Sequence, residues 1–142
     1  MAPAVDYHRV RRLALQGLCS LDVQGEKAVD LVLQFIDESR ENEEILAQAR
    51  HWLLCAYHER DEADALLVSQ AQHWNVARMA LVDRNILRLA VWELRTQNTP
   101  KSVIINEAIQ IAKEFASAES PRFINGVLDA VARLLRGEAS TD

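Results

Sequence analysis

Three arginines crowd one short stretch near the amino terminus, at Arg9, Arg11 and Arg12. A guanidinium offers five donors in a rigid fork and binds phosphate bidentately, so the cluster can hold a nucleic-acid backbone. It also falls at the start of a helix-patterned segment, where the helix dipole favours anions. The alternative is a solvated basic face, and the residues alone leave both readings open. Arg84, Arg88 and Arg95 form a second strip at spacings of four and seven, for which pairing with the chain's many carboxylates is the expected fate. His51, Cys55 and His58 recur on one helix face and could offer three zinc ligands, but no fourth is evident and a structural site needs four, so no metal is expected. Glu43 and Glu44 read as solvated carboxylates at a helix start. No nucleophile and base pair, phosphate-cradling glycine loop or HExxH motif is present, so neither catalytic residues nor a cofactor are expected. The chemistry on offer is binding.

The elements that must position these groups are helical. Only four Gly and three Pro punctuate 142 residues rich in Ala, Leu, Glu, Arg and Gln, which predicts an all-α protein. A hydrophobic share of 49% suffices for one core, or for two small ones sharing an interface. No apolar run approaches the roughly 20 residues that cross a bilayer, and no signal pattern opens the chain; a soluble cytoplasmic protein without membrane contact is expected. Cys19 and Cys55 lie far apart without CxxC pairing and read as buried thiols in a reducing compartment. The net charge of −5 argues against nonspecific coating of nucleic acid. Residues 1–20, however, set three arginines against Asp6 alone, while acids dominate residues 22–64. Screening over about 8 Å lets such a basic arm act locally on an acidic body.

Periodicity places a first helix over about Tyr7–Asp22, with Val10, Leu13, Ala14, Gly17, Leu18 and Leu21 inward, Arg9, Arg12 and Gln16 opposite, and Gly25 ending it. A second spans about Glu26–Ser39 and a third about Glu41–Arg60. The acids Glu59, Asp61, Glu62 and Asp64 mark a junction near Arg60, giving subdomains 1–60 and 61–142 within one compact domain. A fourth helix over about Glu62–Gln72 leads through a less regular stretch, Trp74–Val82, to a fifth capped by Asp83 and running to Arg95. Thr99 before Pro100, and Ser120 before Pro121, predict two further helices, each with a hydroxyl cap and proline in its first position. The stripe of the sixth is Ile104, Ala108, Ile111 and Phe115. In the seventh, Arg122, Asn125, Asp129, Arg133 and Arg136 face outward, with Phe123 on the shoulder of the apolar stripe. Asn125-Gly126 is a turn signal, overruled here by the helical spacing of Ile124, Val127, Leu128, Val131, Leu134 and Leu135. Gly126 is expected to admit another helix closely, at a cost of about 1 kcal/mol relative to Ala. Asn125 reads as part of a polar recognition or packing surface.

These blocks resemble the NusB family over nearly the whole chain. The likeness rests on Arg11, Ala14, Gln16 and Leu18; on Asp83, Arg84, Ile86, Leu87, Arg88, Leu89 and Ala90 with Glu93 and Leu94; on Pro100, Val103, Ile105, Asn106, Glu107, Ala108, Ala112, Lys113 and Phe115; and on Ser120, Phe123, Asn125, Gly126, Val127, Leu128 and Asp129. The resemblance implies about seven helices in two packed bundles and an antitermination adaptor without catalysis. It implies joint binding of single-stranded boxA RNA with a small-subunit ribosomal protein, so that RNA polymerase reads through terminators in ribosomal RNA operons. Arg9, Arg11 and Arg12 become the expected phosphate ligands, and Phe123 a stacking platform beside Arg122 and Glu119, in place of an ordinary core phenylalanine. Asn125 and Asp129 join Glu119 as candidate partner or RNA surface. Tyr7 and His8 stand where further arginines are common in the family, a departure that bears on affinity more than on mode of binding. Two other readings remain: a protein-binding helical module whose RNA face has decayed, and the RNA-binding domain of a ribosomal RNA cytosine methyltransferase, which 142 residues leave no room to complete. The sequence leaves a homodimer open.

Overall fold

The computed structural model describes residues 5–70 and 75–137, which are helical with short connections and contain no strand. The chain divides into two units, Met1–His58 and Glu59–Asp142.

In the first unit, α1 (Tyr7–Gln24), α2 (Val29–Asp37) and α3 (Glu43–His58) pack on one another. Asp6 caps α1, its carboxylate accepting from the amides of His8 at 3.1 Å and Arg9 at 3.3 Å. Gly25 ends α1 at a φ of 87°, a conformation that strains L side chains. The second helix expected from Glu26 opens instead with a 3-10 turn, Glu26–Ala28. Asn42 starts α3, its Oδ1 accepting from Ile45 N at 2.9 Å. Arg50 is held by Glu43 and Asp37, whose hydrogen bonds raise its guanidinium above its ordinary pKa. A close approach lies at Gly17, where a Cβ would stand 2.6 Å from Leu53 Cδ2. Val10, Ala14, Leu18 and Leu21 of α1 and Ala49, Trp52, Leu53 and Ala56 of α3 are buried around this crossing.

The second unit holds α4 (Arg60–Gln70), α5 (Leu81–Thr96), α6 (Lys101–Phe115) and α7 (Ser120–Arg136), with α5 packed against the other three. The expected ends of the fourth helix at Gln72 and of the irregular stretch at Trp74 lie outside the described residues; a 3-10 turn occupies Val76–Arg78. Three start signals act differently from expectation. Asp83 lies in the first turn of α5, which begins at Leu81. Pro100 takes the cap position of α6, and Thr99 offers its carbonyl to Arg136 Nη1 at 2.6 Å. Ser120 is the first residue of α7 and is buried, its Oγ 2.9 Å from Ser117 Oγ, with Pro121 following inside the helix start. Phe115, expected on the buried stripe of α6, is 40% exposed because the helix ends there and Ala112 fills the core position.

Candidate nucleic-acid interface

The first unit carries the arginine face. Arg9, Arg12 and Gln16, one helical turn apart, line a cleft of about 270 Å³ with Leu13 and Glu41. Arg9 Nη1 donates to Glu41 Oε1 at 3.1 Å, and its Nε lies 3.4 Å from Asp6 Oδ2. Arg11 does not join them. It is 5% exposed, and its guanidinium lies over Trp52 at 5.4 Å from the ring centroid. At 100° per residue, one step back from Arg12 turns the side chain onto the core side of α1, where cation–π attraction replaces hydration. Tyr7 stacks on the same Trp52 at 5.4 Å. The helix terminus that should attract an anion is filled by the chain's own Asp6.

The second unit contains a pocket of about 180 Å³ where the start of α7 meets the approach to α5. Phe123 and Glu119 line it, joined by Arg78, Met79, Ala80, Asp83, Ser117 and Ser120. Phe123 is half-buried, one side in the pocket. Asp83 Oδ1 is buried without a hydrogen-bond partner among the described residues, an arrangement that costs about 1–3 kcal/mol unless a donor arrives. The family resemblance implied Phe123 and Glu119, whereas Asp83 read as a helix cap. Met79 gave no signal, since the connection that brings it here has no periodicity.

On α7, Arg122 and Asn125 are exposed, and Asp129 pairs with Arg133 at 3.1 Å. Arg136 turns back to donate to the carbonyls of Leu94, Gln97 and Thr99, so it leaves the outward face. Gly126 admits no helix: a Cβ there would meet nothing within 4 Å. The close approach expected of it belongs to Gly17. Arg88 forks onto Asp64 at 2.8 and 2.7 Å, and Arg95 pairs with Glu59 at 2.8 Å, as charge balance predicts. Arg84 Nη1 donates to the carbonyl of Val76 at 3.2 Å. His51 Nδ1 lies 3.7 Å from Cys55 Sγ, and no group of three metal-ligating side chains converges among the described residues. Cys19 and Cys55 are half-buried thiols, where burial was expected, because each lies at the edge of its helix's core stripe.

Helical bundles, one bearing an arginine-lined cleft and the other a pocket lined by Phe123, Glu119, Asp83 and Arg78, define an all-α protein. The family model described as the NusB family matches residues 8–133. The chain is 38% identical to the transcription antitermination protein NusB of Symbiobacterium thermophilum, covering 94% of each. The solved structure of T. maritima NusB superposes with a TM-score of 0.84 at 28% identity, covering 92% of this chain and 93% of that one. NusB solved with NusE and double-stranded RNA gives a TM-score of 0.79 at 25% identity, covering 90% and 96%. The chain belongs to the NusB family, a group of transcription antitermination factors and not of enzymes. Among the described residues no helix is long and apolar enough to cross a membrane.

Proposed function

We propose that the chain is an antitermination adaptor that binds single-stranded boxA RNA together with a small-subunit ribosomal protein, promoting read-through in ribosomal RNA operons as part of the RNA polymerase antitermination complex. The pocket at the start of α7 carries this reading. It sets an aromatic ring beside a carboxylate oxygen that lacks a donor. An unstacked base supplies a π-face for Phe123 and, once the pocket opens to expose the covered Asp83 oxygen, an exocyclic amine for it. Arg9 and Arg12 supply phosphate contacts on the first unit, and Arg122 supplies another beside the pocket. Arg11 contributes by fixing the helix that carries them. The relative solved with NusE and RNA supports both partner classes.

Labelled boxA RNA titrated with the protein, alone and with the ribosomal partner, tests the reading at several salt concentrations. Tighter binding with the partner and a fall in affinity with salt are expected, because neutralised phosphates release counterions. Phe123→Ala should weaken binding by about 1–3 kcal/mol, the range for one stacked base. Unchanged affinity in the folded variant removes Phe123 from the site. Absent RNA binding with intact partner binding favours the decayed module, a reading supported by the burial of Arg11.

A further inference from the structure

Resting on the RNA reading, we propose that Glu41 is a built-in competitor for RNA phosphate at Arg9: the arginine cleft is an anion site held by the protein's own carboxylate, which a phosphodiester displaces. Arg9 Nη1 lies 3.1 and 3.5 Å from the two oxygens of Glu41, so one donor group faces the whole carboxylate. A phosphodiester also offers two oxygens and one negative charge to the same fork. The pair is graded in depth. Arg9's side chain is 55% exposed and Glu41's 17%, which leaves the guanidinium open to an anion arriving from solvent.

Asp6 and Glu41 differ in what holds them. Asp6 also accepts the first amides of α1 and stays fixed by them. Glu41 lies in the connection before α3, with its backbone amide donating to Ser39 O at 2.9 Å, and its side chain can swing without breaking a helix cap. With its guanidinium half open to solvent the pair is only partly desolvated, and an anion can approach Arg9 from that side. After exchange the displaced carboxylate remains beside the phosphate and repels it. The arginine cleft alone therefore grips polyanions poorly, and stable binding requires contacts elsewhere on the RNA. Glu41 thereby acts as a specificity determinant against nonspecific nucleic acid.

Glu41→Gln keeps the shape and an acceptor while removing the charge. It should tighten binding of single-stranded boxA RNA about two- to fivefold. Glu38→Gln, an exposed acid hydrogen-bonded to Gln34, controls for the loss of one negative charge and should change affinity less. Adding Arg9→Ala to Glu41→Gln should abolish the gain. Retention on heparin, read in parallel, should rise for Glu41→Gln above both the wild type and Glu38→Gln. The proposal is overturned if Glu41→Gln weakens RNA binding, if its gain merely equals that of Glu38→Gln, or if the gain persists without Arg9. Should no variant bind RNA while Glu41→Gln alone gains heparin retention, the competitor role stands and the RNA reading falls.

Discussion

Asp83→Ala should make the protein more stable and a poorer RNA binder, an opposite movement that a structural role alone does not produce. Three effects act on stability. Removing a buried, unpartnered acceptor relieves about 1–3 kcal/mol. Alanine also gains about 0.5 kcal/mol of helix propensity over aspartate inside the first turn. Against these stands the loss of a carboxylate at the positive end of the α5 dipole, about 0.3–1 kcal/mol. The balance favours the variant by about 0.5–3 kcal/mol, which in a protein of this size raises Tm by up to several degrees. Binding moves the other way, because a charged acceptor hydrogen-bonded to a base contributes about 1.5–3 kcal/mol, so boxA affinity should fall about tenfold or more. Thermal melting by circular dichroism and fluorescence anisotropy with labelled RNA read the two effects separately. Lower stability would show that a water molecule already satisfies the oxygen. Unchanged RNA affinity would remove the carboxylate from the recognition pocket.

Gly17→Ala and Gly126→Ala should differ in sign. The first drives a methyl into Leu53 at 2.6 Å and should destabilise by about 1–3 kcal/mol before a propensity gain of about 1 kcal/mol, whereas the second meets open space and should stabilise by about 1 kcal/mol in urea unfolding. If Gly126→Ala also weakens RNA or partner binding, that exposed helix face is contacted from outside. Arg136→Ala releases the carbonyls of Leu94, Gln97 and Thr99 together and should cost about 1.5–3 kcal/mol, with faster amide exchange between α5 and α6 as its local signature. A small, global change in protection instead would show that water replaces the clamp.

The all-α character, the order of the seven helices and most core positions were legible in the sequence, because periodicity depends only on near neighbours along the chain. Ala14, Leu18 and Leu53 needed no tertiary information to be recognised as interior. Charge imbalance likewise foretold that Arg88 and Arg95 would find carboxylates, though not that their partners would be Asp64 and Glu59. Residue type identified Phe123 and Glu119 through the family resemblance. The helix starts were read less well: a hydroxyl, an acid and a proline each favour several adjacent cap positions, and packing chose among them.

Only the tertiary structure decided which arginines remain at the surface. Arg9, Arg11 and Arg12 are alike in type and nearly adjacent, yet one faces Glu41, one lies over Trp52 and one borders the cleft. Their fates depend on partners about thirty to forty residues away, whose positions follow from how α1 meets α3. The same holds for glycine. The sequence established that Gly17 and Gly126 sit within helices, but the space beyond each Cα is a property of neighbouring elements, so the close contact fell at Gly17 and the open surface at Gly126. Local pattern determines what a segment becomes; long-range packing determines which of its side chains are left to act.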